Sequence, residues 1–352
     1  MDVLVVSAFY RTASKWTVET YKRRIDYFLK NTTCKVIIFT TEDCIPLLDV
    51  RDNLEFCILP IENFYSNQFA SNEEYEEMTS RYSKLTAEKP VSTDLLKIYA
   101  EKHMFVNRAI DMYPMYKYYI WTDIGFVIGE QTIPYVKSYP SVAKIEGLNL
   151  GDRICFAVRD NVQLDEYRNC MANPRIRHDT PVAGTSIVGN KNAWRKFVPL
   201  YHRAFAYMKS NGHYWGNDEQ VYFNILCSNP DDIVGIITYG FKLPIQDIYQ
   251  CNSWNMLVYM LTDLFTYPIE KFVPVEAVPG YLNIQFASWG TKESYVDVTD
   301  ILRSKKDTSR VYVDYKMFPY DPAPGSLKYL EIEYTDGRMQ QIEEYTYATL
   351  NL

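Results

Sequence analysis

Short apolar runs alternate with an amphipathic segment along the first 60 positions of the chain. Asp2 to Phe9 is a nearly continuous apolar run, Thr17 to Lys30 spaces apolar residues among charges, and Lys35 to Thr41 is again β-prone. Continuous runs of this length are typical of parallel strands covered on both faces, whereas helical spacing predicts a helix. Strand, helix and strand in this order predict a βαβ unit, and Asn53 to Pro60 predicts a third strand.

A long helix and a central strand are predicted next. Residues Asn63 to Pro90 are acidic and aromatic without a clean period, so we expect a surface loop near the site. Apolar positions recur with helical spacing from Asp94 to Met112, with Thr93 or Asp94 as the expected cap. The aromatic, β-prone run Tyr116 to Phe126 then predicts a buried strand that ends at Asp123.

Asp123 is the first candidate functional residue. Ligands of open α/β sheets bind outside the carboxyl ends of the strands, where this carboxylate is expected to lie. The alternative is an ordinary turn, because Asp123-Ile124-Gly125 is also common turn chemistry. Both interpretations remain open at this point.

A second group of candidates follows in the later α/β part of the chain. Strands are predicted at Ile154 to Val158 and at Pro181 to Gly189, and helices from about Asn192 to Ser210 and from Glu219 to Cys227. The glycines of the second strand, including Gly184, indicate either close approach to a ligand or close helix packing.

The polar and aromatic loop before the last helix carries candidate catalytic and acceptor-binding residues. Asp218 is our candidate catalytic base, with Glu219 as the second choice, although a carboxylate at a helix start is also typical of an N-cap. Tyr214 and Trp215 are candidates for stacking on an acceptor sugar, and His213 shares their loop. We group Gly184 with them on the acceptor side.

The end of the chain has a different pattern. Short alternating strands separated by turn signals are predicted beyond Pro279-Gly280, at 284–291, 295–302, 310–313 and 328–334. This change of pattern predicts a separable all-β domain at 281–352 after an α/β domain at 1–278.

Composition and charge narrow the class of protein. The 352 residues are 47% hydrophobic and 15% aromatic, which is enough for a sizeable core. A net charge of -7 argues against nucleic acid as a partner. The seven scattered cysteines form no zinc or disulfide pattern, and no signal peptide or membrane span is evident, so we expect free thiols and a cytoplasmic location.

Several of these segments together resemble the HtrL/YibB family of putative glycosyltransferases. The matching landmarks lie at 6–11 with Trp16, at 22–28, in the helix with Lys97 and Lys102, at 119–126, at 182–184 with Trp194, and at 217–220. The resemblance covers about residues 1 to 275. With Trp-Gly-Thr at 289–291, Tyr-Val-Asp-Val-Thr at 295–299 and Asp-Pro-Ala-Pro-Gly at 321–325, the final residues resemble a small β domain at the C-terminus of some DnaJ-type co-chaperones, for which we expect a binding role.

The resemblance implies a glycosyltransferase A-type fold, in which one Rossmann-like domain binds a nucleotide-sugar, here expected to be UDP-linked, and transfers the sugar to a glycan or protein acceptor. The expected position of the two strand ends at one sheet edge predicts that Ala8, Phe9, Tyr10 and Arg11 line the nucleoside pocket. Lys97, Lys102, Trp121 and Asp123 complete the implied donor site. Asp123 would hold Mn²⁺ or Mg²⁺, yet Gly125 stands where such enzymes carry a second Asp, which puts metal dependence in doubt.

Two alternatives to a transferase remain. A carbohydrate-binding or scaffolding protein that has lost activity is favoured by the missing second acid. A glycoside hydrolase would need two carboxylates across the scissile bond, for which Asp123 and Asp218 are candidates.

The basic run Arg175 to His178 is a candidate diphosphate contact or a solvated loop. No phosphate-binding or hydrolase motif with a fixed glycine or histidine spacing is present.

Overall fold

The chain forms two compact units. The computed structural model describes residues 2–12, 17–86, 91–159, 162, 180–238, 254–272, 284–304, 310–313, 318, 321–334 and 338–349. One unit comprises Met1–Asp160 with Asn169–Val273, and the other comprises Asn161–Arg168 with Pro274–Leu352. That the second unit folds independently stays a prediction.

The first unit contains seven strands and eight helices within its described residues. The strands are β1 Val3–Phe9, β2 Val36–Thr40, β3 Leu54–Ile58, β4 Tyr118–Thr122, β5 Ile154–Val158, β6 Val182–Asn190 and β7 Ile233–Ile237. The α-helices are α1 Val18–Leu29, α2 Asn72–Thr86, α3 Thr93–Met112, α4 Ile133–Lys137, α5 Val142–Gly147, α6 Lys191–Ser210, α7 Asp218–Ser228 and α8 Met256–Met260. Four short 3₁₀ turns lie at 42–47, 61–63, 65–68 and 130–132.

The seven strands form one mixed, mostly parallel sheet in the order β3-β2-β1-β4-β6-β5-β7. β6 runs antiparallel to both of its neighbours, β4 and β5, and the remaining pairs are parallel. Every residue of β2 and of β5 is buried, as expected for apolar strands covered on both faces. The predicted α/β class is therefore confirmed.

The strand order reverses its direction at β1. β2 pairs with one side of β1 and β4 with the other, with Val6 opposite Trp121. The ends of the two strands are joined by a hydrogen bond of 2.5 Å that Ser7 Oγ donates to the carbonyl oxygen of Thr122. The residues after β1 and after β4 thus lie together at the carboxyl edge, at the kind of switch point where α/β sheets bind ligands.

The prediction of a surface loop at 63–90 is wrong, because residues Asn72–Thr86 form the helix α2. A capping box explains its start: Ser71 N donates to Glu74 Oε2 at 2.8 Å, and Glu74 N donates to Ser71 Oγ at 3.3 Å. Tyr75 and Met78 are buried on its inner face. The helical spacing of apolar residues is hard to recognise here, because exposed glutamates occupy many of the positions of α2. The cap of α3 is likewise Ser92, whose hydroxyl accepts from Leu95 N, and not Thr93 or Asp94.

The second unit contains a four-stranded antiparallel sheet with the order β12-β11-β8-β9 and a strand pair β10-β13. Its elements are β8 Ile284–Gly290, β9 Tyr295–Asp297, α9 Thr299–Ser304, β10 Arg310–Val313, β11 Tyr329–Tyr334, β12 Met339–Glu343 and β13 Thr346–Thr349. The predicted strand at 295–302 is wrong after Asp297, whose side chain accepts from Thr299 N at 2.9 Å and starts α9. Among the described residues of this unit, α9 is therefore the one helix beside six strands.

Candidate active site

Asp123 lies immediately after β4 at the switch point. Its backbone N–H donates to Thr185 O at 2.8 Å, and its Oδ1 accepts from Trp121 Nε1 at 2.8 Å. Its carbonyl oxygen also accepts from Phe126 N at 3.2 Å, so a turn begins here as well. The side chain is 38% exposed. Both sequence interpretations therefore describe Asp123, which starts a turn and presents a carboxylate at the sheet edge.

Lys102 on α3 joins three elements of the fold. Its ammonium nitrogen lies 3.0 Å from Asp123 Oδ1 and 2.9 Å from Asp218 Oδ2, and it donates to Gly184 O on β6 at 3.0 Å. The three hydrogens of the ammonium match these three oxygens in number. Burial lowers the pKa of Lys102, but the charges of Asp123 and Asp218 outweigh it and hold the pKa above its usual range. Lys102 is therefore a buried cation between two acids.

Asp218 is the first residue of α7 and is 3% exposed. The N-cap is Asn217, whose Oδ1 accepts from Glu219 N at 3.1 Å, so the alternative in which Asp218 caps the helix is wrong. Burial raises the pKa of Asp218, and the ammonium of Lys102 opposes that rise. Gly184 packs directly on this carboxylate, because a Cβ at Gly184 would overlap Asp218 Oδ2. The glycine of β6 thus serves close packing against α7.

Glu219 is held inside the protein by three donors. Thr180 Oγ1, Gly184 N and Asn217 Nδ2 donate to its carboxylate at 3.0, 3.1 and 3.1 Å. Burial and the neighbouring charge of Asp218 raise the pKa of Glu219 to about 7. Glu219 therefore exchanges its proton near neutral pH, which is unusual for a glutamate.

The residues at the end of β1 divide into two groups. Ala8 and Phe9 are half-buried and Arg11 is exposed, next to the switch point. Tyr10 is instead buried: its hydroxyl donates to Leu59 O at 2.9 Å, and its ring packs on Phe64 and Phe105. Stacking of Tyr10 on a nucleoside base would require it to leave this packing, so the pocket prediction rests on its neighbours.

Lys97 points to a different part of the molecule from Lys102. Its ammonium donates to Asn72 Oδ1 at 2.6 Å and lies 5.7 Å from the centre of the Tyr75 ring. Both partners belong to α2, the helix that the sequence pattern did not show. Its predicted role at the donor site remains a prediction, and its observed role is to attach α2 to α3.

The predicted acceptor residues are placed mostly in packing contacts. Tyr214 and Trp215 are each 5% exposed, and the Trp215 ring lies 4.7 Å from Phe205 and 5.2 Å from Tyr75 between centroids. His213 is half-buried, with its ring 6.1 Å from that of Tyr207. Their role in sugar binding stays a prediction, since neither aromatic ring is presented to solvent.

Several site residues were not singled out from the sequence. Ser7 joins the two strand ends, Thr180 holds Glu219, and Asn217 caps α7. Asn217 had a recognisable signal, because Asn directly before an acidic helix start is a favoured cap. The other two depend on contacts between distant segments. Trp16 and the basic run Arg175 to His178 lie outside the described residues.

No preformed metal cluster is found in the described part of the chain. No group of three or more His, Cys, Asp or Glu side chains there is arranged to hold a metal ion. The thiols of Cys34, Cys44, Cys57, Cys155 and Cys227 are free, as expected, and Cys170 and Cys251 lie outside the described residues. None of the described helices has the length and apolar character needed to cross a membrane.

Comparisons with known proteins add no assignment. The chain matches no protein-family model, and no curated protein is significantly similar to it. The resemblance to the HtrL/YibB family therefore rests on the short sequence motifs alone.

Proposed function

We propose that the chain is a glycosyltransferase with an A-type, Rossmann-like domain that binds a nucleotide-sugar, UDP-linked by expectation, at the switch point between β1 and β4. The sequence resemblance supports this reaction class. The strand order 3-2-1-4 supports the binding place, because dinucleotide-binding sheets also reverse there. A glycan or protein supplies the acceptor hydroxyl.

The observation that carries the proposal is the partly exposed, oriented carboxylate of Asp123. Trp121 and Lys102 both contact Oδ1, and among the described residues Oδ2 has no hydrogen-bond donor. An oriented carboxylate with one oxygen left over is suited to accept a hydrogen bond from a sugar hydroxyl and, in an inverting transfer, to take its proton. We therefore place Asp123 in contact with substrate.

Asp218 takes a different part in this proposal from the one expected from the sequence. A general base must come within hydrogen-bond reach of the proton it removes. With 3% of its side chain exposed and an ion pair to Lys102, Asp218 is better suited to hold Lys102 and Asp123 in place. Glu219 is enclosed in the same way by its three donors.

A divalent cation held jointly by Asp123 and Asp218 does not fit the residues present. The ammonium of Lys102 already lies within 3.0 Å of both carboxylates. Two cations at this spacing would repel each other strongly in a buried site. The proposed reaction is therefore written through the protein's own residues, with no step assigned to a metal.

The test is nucleotide binding followed by turnover. A thermal-shift screen of nucleotides and nucleotide-sugars should show a raised midpoint for the true donor, because a ligand of the folded state stabilises it by mass action. Slow hydrolysis of that donor should fall by roughly 10² to 10⁴ in Asp123→Asn. Asp111→Asn on the exposed side of α3 is the control and should keep the wild-type rate. No shift with any nucleotide and no hydrolysis would contradict the proposal.

The second candidate is a carbohydrate-binding or scaffolding protein that has lost activity. The burial of Asp218 and Glu219, together with Gly125 in the second acidic position, favours it. Binding of a nucleotide-sugar or glycan without any hydrolysis or transfer would identify it. A glycoside hydrolase is disfavoured, because Lys102 fills the space between Asp123 and Asp218 where a scissile bond would have to lie.

A further inference from the structure

The oxygens around the Lys102 ammonium resemble part of a cation site. A carboxylate after β4, a carboxylate at the start of α7 and the carbonyl of Gly184 on β6 converge on one nitrogen at 3.0, 2.9 and 3.0 Å. Carboxylate and carbonyl oxygens are also the ligands that Mg²⁺ and Mn²⁺ take in proteins. The protein therefore has an oxygen cluster of this kind, and the ammonium of Lys102 occupies its centre.

Electrostatics explain what the ammonium does there. The carboxylates of Asp123 and Asp218 repel each other and would also repel a diphosphate that approaches the strand edge. One positive charge between them removes most of this repulsion, as a bridging metal does in other diphosphate sites.

Gly125 is an independent second observation. A Cβ at this position would have only ordinary contacts, the nearest being a ring carbon of Tyr21 at 3.6 Å. Packing therefore does not require glycine here, and a side chain with an additional acid would have room at its base. Glycine rather than a second acid at position 125 and the Lys102 ammonium beside Asp123 both make this edge less negative, which disfavours a metal ion there.

We propose that the Lys102 ammonium takes the place of a divalent cation at this site, so that the protein neither binds Mn²⁺ between Asp123 and Asp218 nor needs it to bind a nucleotide. The nucleotide part of this inference rests on the proposed function. The cation part depends only on the residues around Lys102.

The cation part is tested without any nucleotide. Thermal unfolding of wild type should have the same midpoint in EDTA and in Mn²⁺. Lys102→Met removes the charge but keeps the stem, and leaves three oxygens facing one position, so Mn²⁺ should raise its midpoint by several degrees. Lys97→Met is the matched control, a second buried lysine on α3 whose partner is Asn72, and it should show no response to Mn²⁺.

Calorimetry of wild type keeps the inference testable if Lys102→Met does not fold. Mn²⁺ binding to wild type that disappears in Asp123→Asn would show that metal displaces the lysine, and would overturn the inference. A folded Lys102→Met protein that ignores Mn²⁺ would also overturn it, because the ammonium would then not occupy a cation position.

Measuring UDP affinity with and without Mn²⁺ distinguishes a failure of this inference from a failure of the proposed function. We expect UDP to bind wild type equally well in EDTA and in Mn²⁺. Binding of UDP that is roughly tenfold tighter with Mn²⁺ would contradict the inference and leave the proposed function standing. If no nucleotide binds under either condition, the proposed function fails, and the Mn²⁺ measurements on wild type and Lys102→Met still decide the cation part.

Discussion

Lys102 and Asp218 form an ion pair of 2.9 Å between α3 and α7, with 4% and 3% of their side chains exposed. Removing one partner of a buried pair leaves the other charge without compensation, which costs about 3–5 kcal/mol. We expect Lys102→Met to lower the free energy of unfolding by an amount of this order, as measured by urea denaturation at neutral pH.

The double variant tests the origin of this cost. In Lys102→Met/Asp218→Asn the uncompensated buried charge is gone, so part of the stability should return. A double-mutant cycle then gives a coupling free energy of about 1–3 kcal/mol. Strict additivity of the two single changes would mean that the pair is not coupled in solution.

Gly184→Ala should destabilise the protein by about 1–3 kcal/mol, because the new methyl group would overlap Asp218 Oδ2 and press on Glu219 Cγ at 3.3 Å. Gly147→Ala is the matched control, since that glycine ends α5 with no atom near its missing Cβ and should change stability little. Urea denaturation of both variants measures the difference. Equal stabilities would show that β6 and α7 are not packed as closely as described.

Glu219 makes a pH-dependent contribution whose sign follows from its raised pKa. The ordinary glutamate pKa of 4.5 rises to about 7 in the folded protein, so the folded state holds its proton where the unfolded state has lost it. The resulting stability is fully present below pH 4.5 and is lost as the pH rises through about 7. Each pKa unit corresponds to about 1.4 kcal/mol, so the shift from 4.5 to about 7 sets an upper limit of about 3–4 kcal/mol on this loss.

Glu219→Gln checks this sign. The free energy of unfolding of wild type should fall more steeply between pH 5 and about 8 than that of Glu219→Gln, because the amide does not ionise. Glu62→Gln, an exposed position, should follow the wild-type profile. Parallel profiles for wild type and Glu219→Gln would contradict the raised pKa.

The sequence pattern predicted the core of the sheet because burial leaves a direct trace. The continuous apolar run before Phe9 and the aromatic run before Asp123 became β1 and β4 within one or two residues. Asp123 followed from the same rule, since the residue after a central strand lies at the ligand edge. The antiparallel direction of β6 was not predictable, because a strand buried on both faces has the same apolar pattern in either direction.

The cluster around Lys102 could not be predicted from the sequence, because it depends on tertiary packing. Lys102 and Asp123 were candidates for the donor site, Gly184 for the acceptor side and Asp218 for catalysis, so the four were not predicted to meet. Their meeting point depends on how α3, β4, β6 and α7 pack, which no local spacing encodes. Tyr214 and Trp215 were predicted to stack on a sugar because they form an aromatic pair in a polar loop, and that role stays a prediction. In the structure the Trp215 ring packs against Tyr75 of α2, a contact that the loop sequence does not show.

The last prediction concerns the second unit, whose described residues have a hydrophobic core of their own. Trp289 is fully buried and stacks on Phe318 with 4.9 Å between centroids. The Lys328 ammonium lies 5.9 Å from the centre of the Trp289 ring and pairs with Glu344 at 3.1 Å and Asp321 at 3.3 Å. Because these contacts lie within one unit, a chain ending at Pro279 should be soluble and bind the same nucleotide as the full chain.

Trp289→Ala in the full chain tests the same independence of the two units without a truncation. Loss of a buried Trp side chain costs about 3–5 kcal/mol, which is enough to unfold a small domain while a larger neighbour stays folded. Thermal unfolding followed by circular dichroism should then show the transition of the first unit unchanged, and calorimetry should give wild-type nucleotide affinity. Insoluble truncated protein, or lost binding in either variant, would show that the two units fold or function as one.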